Sequence, residues 1–397
     1  MTPARGVTTI YGFAFLSNAP SASKASTTGY SSDAPCGRHG SGGRHGSGGH
    51  HGNNGCYGNN GRHGGSFGLH KSKLYDILNK TPEERMDKLN IFTGNANRQL
   101  AVAISRHLRI PLGDADVFQF SNENIFVKIN DNVRGGDVFV IQPFSAPVNR
   151  SIMEMLIMLD ALKRASATRI TAVIPYYAYG RTDKKDQPRV PITARLIADC
   201  LTVAGAHRVL TMDMHAGQIQ GFFNIPVDEL TAQIIQARYF VQKELDDFTV
   251  VATDEGFAKK ARQLADRLEA PLAIVEKRRI GNNGHTEAMG IIGSVEGRHA
   301  LIVDDEIDTA GSLTQAVRVV REHGARDIYC CATHGILSGP AIERLSNALI
   351  KEIVITDSIP LSEHKRLPNL TVLSVAELFA GAISRIHDGR SVTELFQ

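Results

Sequence analysis

From residue 86 onward the chain alternates short runs of β-branched and apolar residues with longer segments of helical period, which restricts the possible folds more than any other feature. A first strand is predicted over Leu89 to Phe92, then a Gly/Asn turn and a helix that sets Leu100, Ala103, Ile104 and Leu108 on one face. Further strands are predicted at 137–142, 169–174, 207–212, 248–253, 270–275, 299–304, 327–333 and 352–356. Helices are predicted at 150–164, 192–203, 257–268, 313–323 and 376–386. Strands this uniformly apolar are buried on both faces, the condition of parallel strands covered by helices. The pattern therefore reads as α/β and doubly wound. Its two similar halves, 86–233 and 234–397, meet in the polar stretch from Glu229 to Asp247. Ligands of such sheets bind beyond the carboxyl ends of the strands, so motifs there are read first as chemistry.

Residues 1–85 are different material. Between Cys36 and Gly68, 14 of 33 residues are Gly and five are His, and Gly-Arg-His-Gly-Ser-Gly occurs at 37–42 and again at 43–48. So little apolar surface cannot offset the entropy of ordering, and the segment reads as a disordered leader. Its histidines (His39, His45, His50, His51, His63) admit a second reading as a metal-binding tract, although their spacing has no fixed ligand geometry. Residues 1–35, rich in Ser, Thr and Ala and nearly free of acids, resemble an organelle transit peptide. A third reading starts translation at Met86, where the folded pattern begins.

The net charge of +3 belongs to this leader: residues 1–70 hold five basic side chains against one acid, leaving 39 basic and 40 acidic residues in the rest. A neutral body excludes nucleic-acid binding by phosphate neutralisation, which needs a basic stripe. The five cysteines form no CxxC pair, and a chain of this size needs no disulfide staples. A reducing, cytoplasmic location is expected, or an organelle if the leader is a transit segment. No apolar run reaches the roughly 18 to 20 residues that span a bilayer, so no membrane partner is expected.

The richest motif is HALIVDDEIDTAGSL (299–313): an apolar strand, then Asp304, Asp305 and Asp308, then the small-residue turn Thr309, Ala310, Gly311, Ser312 entering a helix. Such a turn aims several backbone N–H groups and a helix dipole at one point, which suits a phosphate. Acids directly before it would repel that phosphate unless they face vicinal hydroxyls or a divalent cation. An acidic N-cap on a core helix explains one Asp but not three. In TMDMH, Asp213 and His215 stand two residues apart at a strand end, hence on one side, and Asp254 ends the next strand of the series. Sparse acids of this kind suit Mg²⁺, which keeps much of its water and is held by one or two protein groups plus substrate phosphates. His215 would equally bind a phosphate oxygen or serve structurally. Lys277, Arg278 and Arg279 precede a Gly/Asn-rich stretch, as a basic cluster on a mobile loop closing over phosphates or as a solvated face.

The segment at 299–313 resembles the phosphoribosyl-diphosphate loop shared by type I phosphoribosyltransferases and ribose-phosphate diphosphokinases. YYAYGRTDKKD (176–186), VLTMDMHAGQIQGFFNIPVDEL (209–230), VVATDEGFAKKA (250–261), IVEKRR (274–279) and THGILSGPAIERL (333–345) resemble the second family in order and spacing. The resemblance covers Leu89 to Phe396. It implies two tandem phosphoribosyltransferase-like domains that transfer the diphosphoryl group of Mg–ATP to O1 of ribose 5-phosphate. It places Lys277 and Arg279 as the active-site cations, Arg279 also at the sugar phosphate, and Phe120, Asn122, Glu123, Asn124, Arg181 and Thr182 at ATP. Asp304, Asp305, Asp308 and residues 309–312 would take ribose 5-phosphate, and Asp213, His215 and Asp254 the magnesium. Phe120 would stack on adenine, although a Phe ending an amphipathic strand is commonly core. The resemblance also implies a homo-oligomer, often hexameric, with sites completed at subunit interfaces. The chain departs from the commonest pattern at Asn124 (Glu), Thr182 (Gln), Phe257 (Gly) and Ala310-Gly311-Ser312 (Gly-Gly-Thr); Ala310 is strained if its position needs positive φ. Two competing readings are a silent paralogue that regulates synthetase subunits and a phosphoribosyltransferase, which has no use for the ATP motifs.

Overall fold

The computed structural model describes residues 88–280 and 286–396, with backbone alone for 277–280 and 286–289. The leader predicted over 1–85, a start at Met86 and the Gly/Asn-rich stretch at 281–285 lie outside the described residues.

The first half runs β1 (Leu89–Thr93), α1 (Arg98–Leu108), β2 (Ala115–Gln119), β3 (Ile125–Ile129), β4 (Asp137–Ile141), α2 (Val148–Arg164), β5 (Arg169–Ile174), α3 (Thr193–Ala204), β6 (Arg208–Met212) and β7 (Val227–Leu230). Strands β1-β4-β5-β6-β7 form one parallel sheet, and β2 and β3 pair as a separate antiparallel hairpin. The second half runs α4 (Gln233–Gln242), β8 (Phe248–Ala252), α5 (Ala258–Arg267), β9 (Leu272–Ile280), β10 (Thr286–Ile292), β11 (His299–Ile307), α6 (Gly311–Glu322), β12 (Ile328–Gly335), α7 (Ala341–Asn347), β13 (Glu352–Thr356), β14 (Leu370–Leu373) and α8 (Ala376–His387). Its sheet, β10-β9-β8-β11-β12-β13-β14, is parallel except where β10 meets β9. The order β1-β4-β5-β6-β7 is repeated as β8-β11-β12-β13-β14, so the halves share one winding.

The central strands form where predicted because their residues are mostly apolar, and every residue of β4 and of β12 is buried. Helix α1 starts where the Asn97 side chain accepts the Leu100 N–H, and α3 stops at Gly205, whose φ of 124° a side chain would oppose. The strands not foreseen, β2, β3, β7, β10 and β14, lie in the hairpin or at sheet edges, where half-exposed positions break up the apolar run.

Two further features carry no local sequence signal. The polar stretch around Glu229 to Asp247 contains helix α4, whose buried face carries Gln233 and Gln236 beside Ala237 and Phe240. Amides on the inward face hide the helical period; they donate to Lys260 O (2.9 Å) and Thr333 Oγ1 (3.4 Å). The chain also crosses back at its end. Helix α8 packs on α1 and shares a core with Ile91, Phe139 and Leu210 of the first sheet. Buried Asp137 fastens the crossing: it takes Arg169 at 2.5 Å and His387 Nδ1 at 2.8 Å, while Arg169 also donates to Ile386 O at 2.9 Å. The sequence boundary near 233 therefore divides the strands of the two sheets but not the helical layers that cover them.

Candidate functional site

The carboxyl ends of β6, β8 and β11 open into one cleft of about 690 Å³ between the halves. Strand β11 runs through Ile307, further than the expected end at Asp304, so the acidic motif alternates across a strand. Asp304 accepts the Thr253 hydroxyl at 2.8 Å, and Asp305 Oδ2 meets His215 Nδ1 at 2.7 Å. The two acids are driven apart. Burial and the charge of Asp305 hold the Asp304 carboxyl well above the usual range. Burial opposes the charge on Asp305 too, yet the hydrogen bonds from His215 and Asp304 bring it down to about 2. The same Asp305 bond raises His215 against the opposing effect of burial.

Asp213 and His215 do not leave the strand on the same side as expected. Strand β6 ends at Met212, and Asp213 has φ of 39°, so the alternation stops there. The Asp213 carboxylate turns to the Ala232 N–H (2.8 Å) and the Thr333 hydroxyl (2.7 Å), whereas His215 crosses to the second half. His334, two per cent exposed, grips the same turn. Its Nε2 faces the carbonyls of Met212 (3.2 Å) and Asp213 (3.3 Å) and therefore carries the proton, while Nδ1 takes Ser358 at 2.9 Å. Lys260 of α5 donates to Met214 O at 2.6 Å. None of Thr253, Lys260, Thr333 or His334 was singled out in the sequence; each gains its role from a neighbour distant along the chain.

The turn after β11 behaves as its small residues suggest. Thr309 is exposed, Gly311 begins α6, and no side chain caps the helix. Ala310 sits in the left-handed region at φ 59°, the strained case anticipated for a residue replacing glycine. Arg344 donates to Thr309 O at 2.9 Å, a contact without a sequence signal. Ala310→Gly should remove the Cβ penalty and raise stability by about 1 kcal/mol. An unchanged or lower thermal midpoint would contradict the strain.

Arg181 is drawn to this loop as well. It pairs with Glu306 and, at 3.3 Å, with Asp308, which also accepts the Ser338 hydroxyl. Burial and the Asp305 charge push Glu306 up to about 7, with Arg181 opposing. Thr182 turns its hydroxyl back to Tyr179 O at 2.7 Å. Phe120, Asn122, Glu123 and Asn124 form the hairpin turn between β2 and β3 and do not line the cleft; Phe120 is 48% exposed and packs edge-on to Phe118 and Phe126. Asp254 stands exposed at the end of β8, where its Oδ1 caps the Phe257 N–H at 3.1 Å. Lys277 and Arg279 lie on β9, in register with Met289 and Glu287 of β10. The basic cluster expected on a loop is thus on a two-stranded ribbon. The side chains of Lys277 and Arg279 lie outside the described residues.

Two family models match the chain: the N-terminal domain of ribose phosphate pyrophosphokinase at residues 89–205, and the phosphoribosyl synthetase-associated domain at 280–397. A ribose-phosphate pyrophosphokinase of Caldanaerobacter subterraneus is 58% identical over 311 residues, covering 78% of this chain and 98% of that protein. One from Halalkalibacterium halodurans is 52% identical over 308 residues, covering 78% and 97%. The crystal structure of phosphoribosylpyrophosphate synthetase from Mycobacterium smegmatis superposes with a TM-score of 0.73 at 42% identity, covering 76% of this chain and all of that one. The chain belongs to the ribose-phosphate pyrophosphokinase family.

Proposed function

We infer that the protein transfers the diphosphoryl group of Mg–ATP to O1 of ribose 5-phosphate, giving 5-phospho-α-D-ribose 1-diphosphate and AMP for nucleotide biosynthesis. The observation that carries this reading is the facing of two unlike ends across one cleft. His215, at the end of β6 in the first half, meets Asp305 of the acidic strand β11 in the second, with the exposed Asp254 carboxylate at the end of β8, the strand beside β11.

Open N–H groups at residues 309–312 would take the 5-phosphate. Asp304 and Asp305, one favouring its protonated form and the other ionised, can donate and accept toward vicinal hydroxyls, and Asp308 directly follows the strand. The donor set also fits magnesium. Among the described residues no three His, Cys, Asp or Glu side chains gather as a cage, and Mg²⁺ takes most of its ligands from water and phosphates. Ionised Asp305 accepts the His215 Nδ1 proton and leaves Nε2 its lone pair in the neutral ring, so His215 and Asp254 would hold the ion. Asp213, already bonded on one oxygen to two donors, acts instead by setting the turn that carries His215. When bound, the ion neutralises charge on the triphosphate oxygens. Lys277 and Arg279 would stabilise the charge that spreads over the moving diphosphoryl group, and Arg279 would also touch the sugar phosphate.

The hairpin residues Phe120, Asn122, Glu123 and Asn124 would contact the ATP of a neighbouring copy in a homo-oligomer, as the family resemblance implies; their exposure outside the cleft of their own chain supports this. Among the described residues no helix is long and apolar enough to cross a membrane. A cytoplasmic enzyme acting on two soluble phosphates fits that observation. Purified protein given ATP, ribose 5-phosphate and Mg²⁺ should release AMP, and omission of any one should abolish release. Diphosphate release that depends on a nucleobase, without AMP, would favour a phosphoribosyltransferase. No turnover at all would favour a silent paralogue.

A further inference from the structure

Helix α5 opens with Ala258, Lys259 and Lys260 and has no acidic residue in its first turn. Adjacent lysines at the positive end of a helix are unfavourable, and a local conflict of this kind commonly marks a functional position. Both lysines line the cleft, as does Lys184. Lys184 and Lys259 are exposed, whereas Lys260 is half-buried.

The Lys260 ammonium is fixed in place. It donates to Met214 O at 2.6 Å, Met214 N–H donates to Glu229 Oε1 at 2.8 Å, and Gln233 holds the Lys260 carbonyl at 2.9 Å. Its charge reaches acids of both halves without touching them. Burial raises the Glu229 carboxyl of β7 and the Lys260 charge opposes that rise; on Asp305 of β11, burial is opposed by His215, by Asp304 and again by Lys260. Among the described residues no carboxylate forms an ion pair with Lys260, and the bond to Met214 O uses one of the three N–H groups of an ammonium. A half-buried cation with N–H groups to spare, in a cleft lined by acids, suits an anionic ligand rather than a protein partner. Its surroundings say which part of that ligand. The residue it holds, Met214, precedes His215, and its helix follows Asp254, whose Oδ1 accepts the Phe257 N–H at 3.1 Å. Lys260 therefore stands between the two side chains assigned to magnesium, where the oxygens of a metal-bound triphosphate come.

We propose that Lys260 is a further substrate-binding cation, bridging the Met214 carbonyl and an oxygen of the β- or γ-phosphate of Mg–ATP. The proposal rests on the reading of this cleft as the ATP site. Because Lys260 is fastened to α5 and to Met214, it acts on nucleotide binding as well as on transfer.

Equilibrium dialysis of the full chain against labelled ATP with Mg²⁺, and separately against labelled AMP, compares wild type with Lys260→Met, which keeps the apolar stem and removes the charge. Binding of Mg–ATP should weaken about tenfold or more through the lost charge-assisted hydrogen bond, with AMP binding held within about twofold. AMP release at saturating ATP and ribose 5-phosphate should also fall by about tenfold or more. Lys260→Arg, which restores the charge, should recover part of the Mg–ATP affinity. Lys260→Gln, whose amide keeps a donor without the charge, carries the same test if the methionine variant does not fold, with the thermal midpoint as the control. Histidine resonances separate contact from positioning: an unchanged His215 titration leaves direct contact as the cause, whereas loss of the Asp305 pair would lower it. Mg–ATP binding within about twofold of wild type in the uncharged variants, or weaker binding together with a lowered His215 titration, overturns the proposal. A wild type that binds no Mg–ATP overturns this proposal and the reading beneath it; one that binds Mg–ATP but releases no AMP overturns only the transfer reading and leaves the binding comparison to decide the role of Lys260.

Discussion

Replacing Lys277 with alanine should lower ribose 5-phosphate-dependent AMP release by about a hundredfold or more at saturating substrates. The expectation rests on the charge of the cleft. Its described lining holds six carboxylates against three lysines, an unfavourable setting for a triphosphate whose charge is redistributed during transfer. Phosphoryl-type transfer leaves little for a protein to do beyond positioning and stabilising charge, and loss of one well-placed donor typically costs about 3 kcal/mol of barrier, or about two powers of ten in rate. Lys277 and Arg279 are the cations proposed to offset that imbalance. The β9–β10 ribbon, which carries Lys277 and Arg279, extends the second sheet at its edge. The thermal midpoint should accordingly hold while kcat falls. Lys277→Arg should restore part of the rate, because it keeps the charge while altering its geometry. AMP formation by Lys277→Ala within a few-fold of wild type would remove Lys277 from the transfer step.

The fold was legible wherever the buried pattern was apolar. β4, β5, β11 and β12 could be placed within a few residues because each contains an apolar run that is buried in the sheet. Helix α4 was hidden because its inward face uses glutamines, and the return of α8 to the first sheet was hidden because no local pattern records which sheet a helix covers. The site divides in the same way. Asp304, Asp305, Asp308 and the turn at 309–312 are contiguous, so one motif exposed them. Ala310 stands where glycine is the usual residue, and φ of 59° accounts for the strain. Thr253, Lys260, Thr333 and His334 carry no such signal, since a hydroxyl, an amine or an imidazole becomes a positioning group only through a partner 46 to 122 residues away. The strand's period of two stops at Asp213 for a local reason, a single left-handed residue.

Asp305→Asn should cost at least about a hundredfold in kcat/KM and should change the titration of His215. The amide keeps the shape of the carboxylate but removes the charge that fixes the ring. A partner that orients a ligating histidine is commonly worth 10- to 100-fold, roughly, and Asp305 would lose its contact to a ribose hydroxyl as well. The pH signature separates this from a general loss of structure. Asp305 is depressed to about 2, so its contribution to stability is fully present above the ordinary carboxylate value of about 4 and is lost as pH falls through about 2. His215 is raised by its Asp305 bond, so its contribution is fully present below about 6.5 and is lost as pH rises through its elevated value. The pair therefore favours the folded state most between about pH 4 and 6.5. Its worth is modest, about 1 kcal/mol, because the His215 side chain is 40% exposed and solvent screens it. In Asp305→Asn the extra stability in that window should vanish, and His215, left to the opposing effect of burial, should titrate lower than in wild type. Histidine resonances followed by NMR against pH, beside thermal midpoints at pH 5 and 8, measure both. If His215 titrates unchanged in the variant and kcat/KM holds, the 2.7 Å pair plays no part in setting the site.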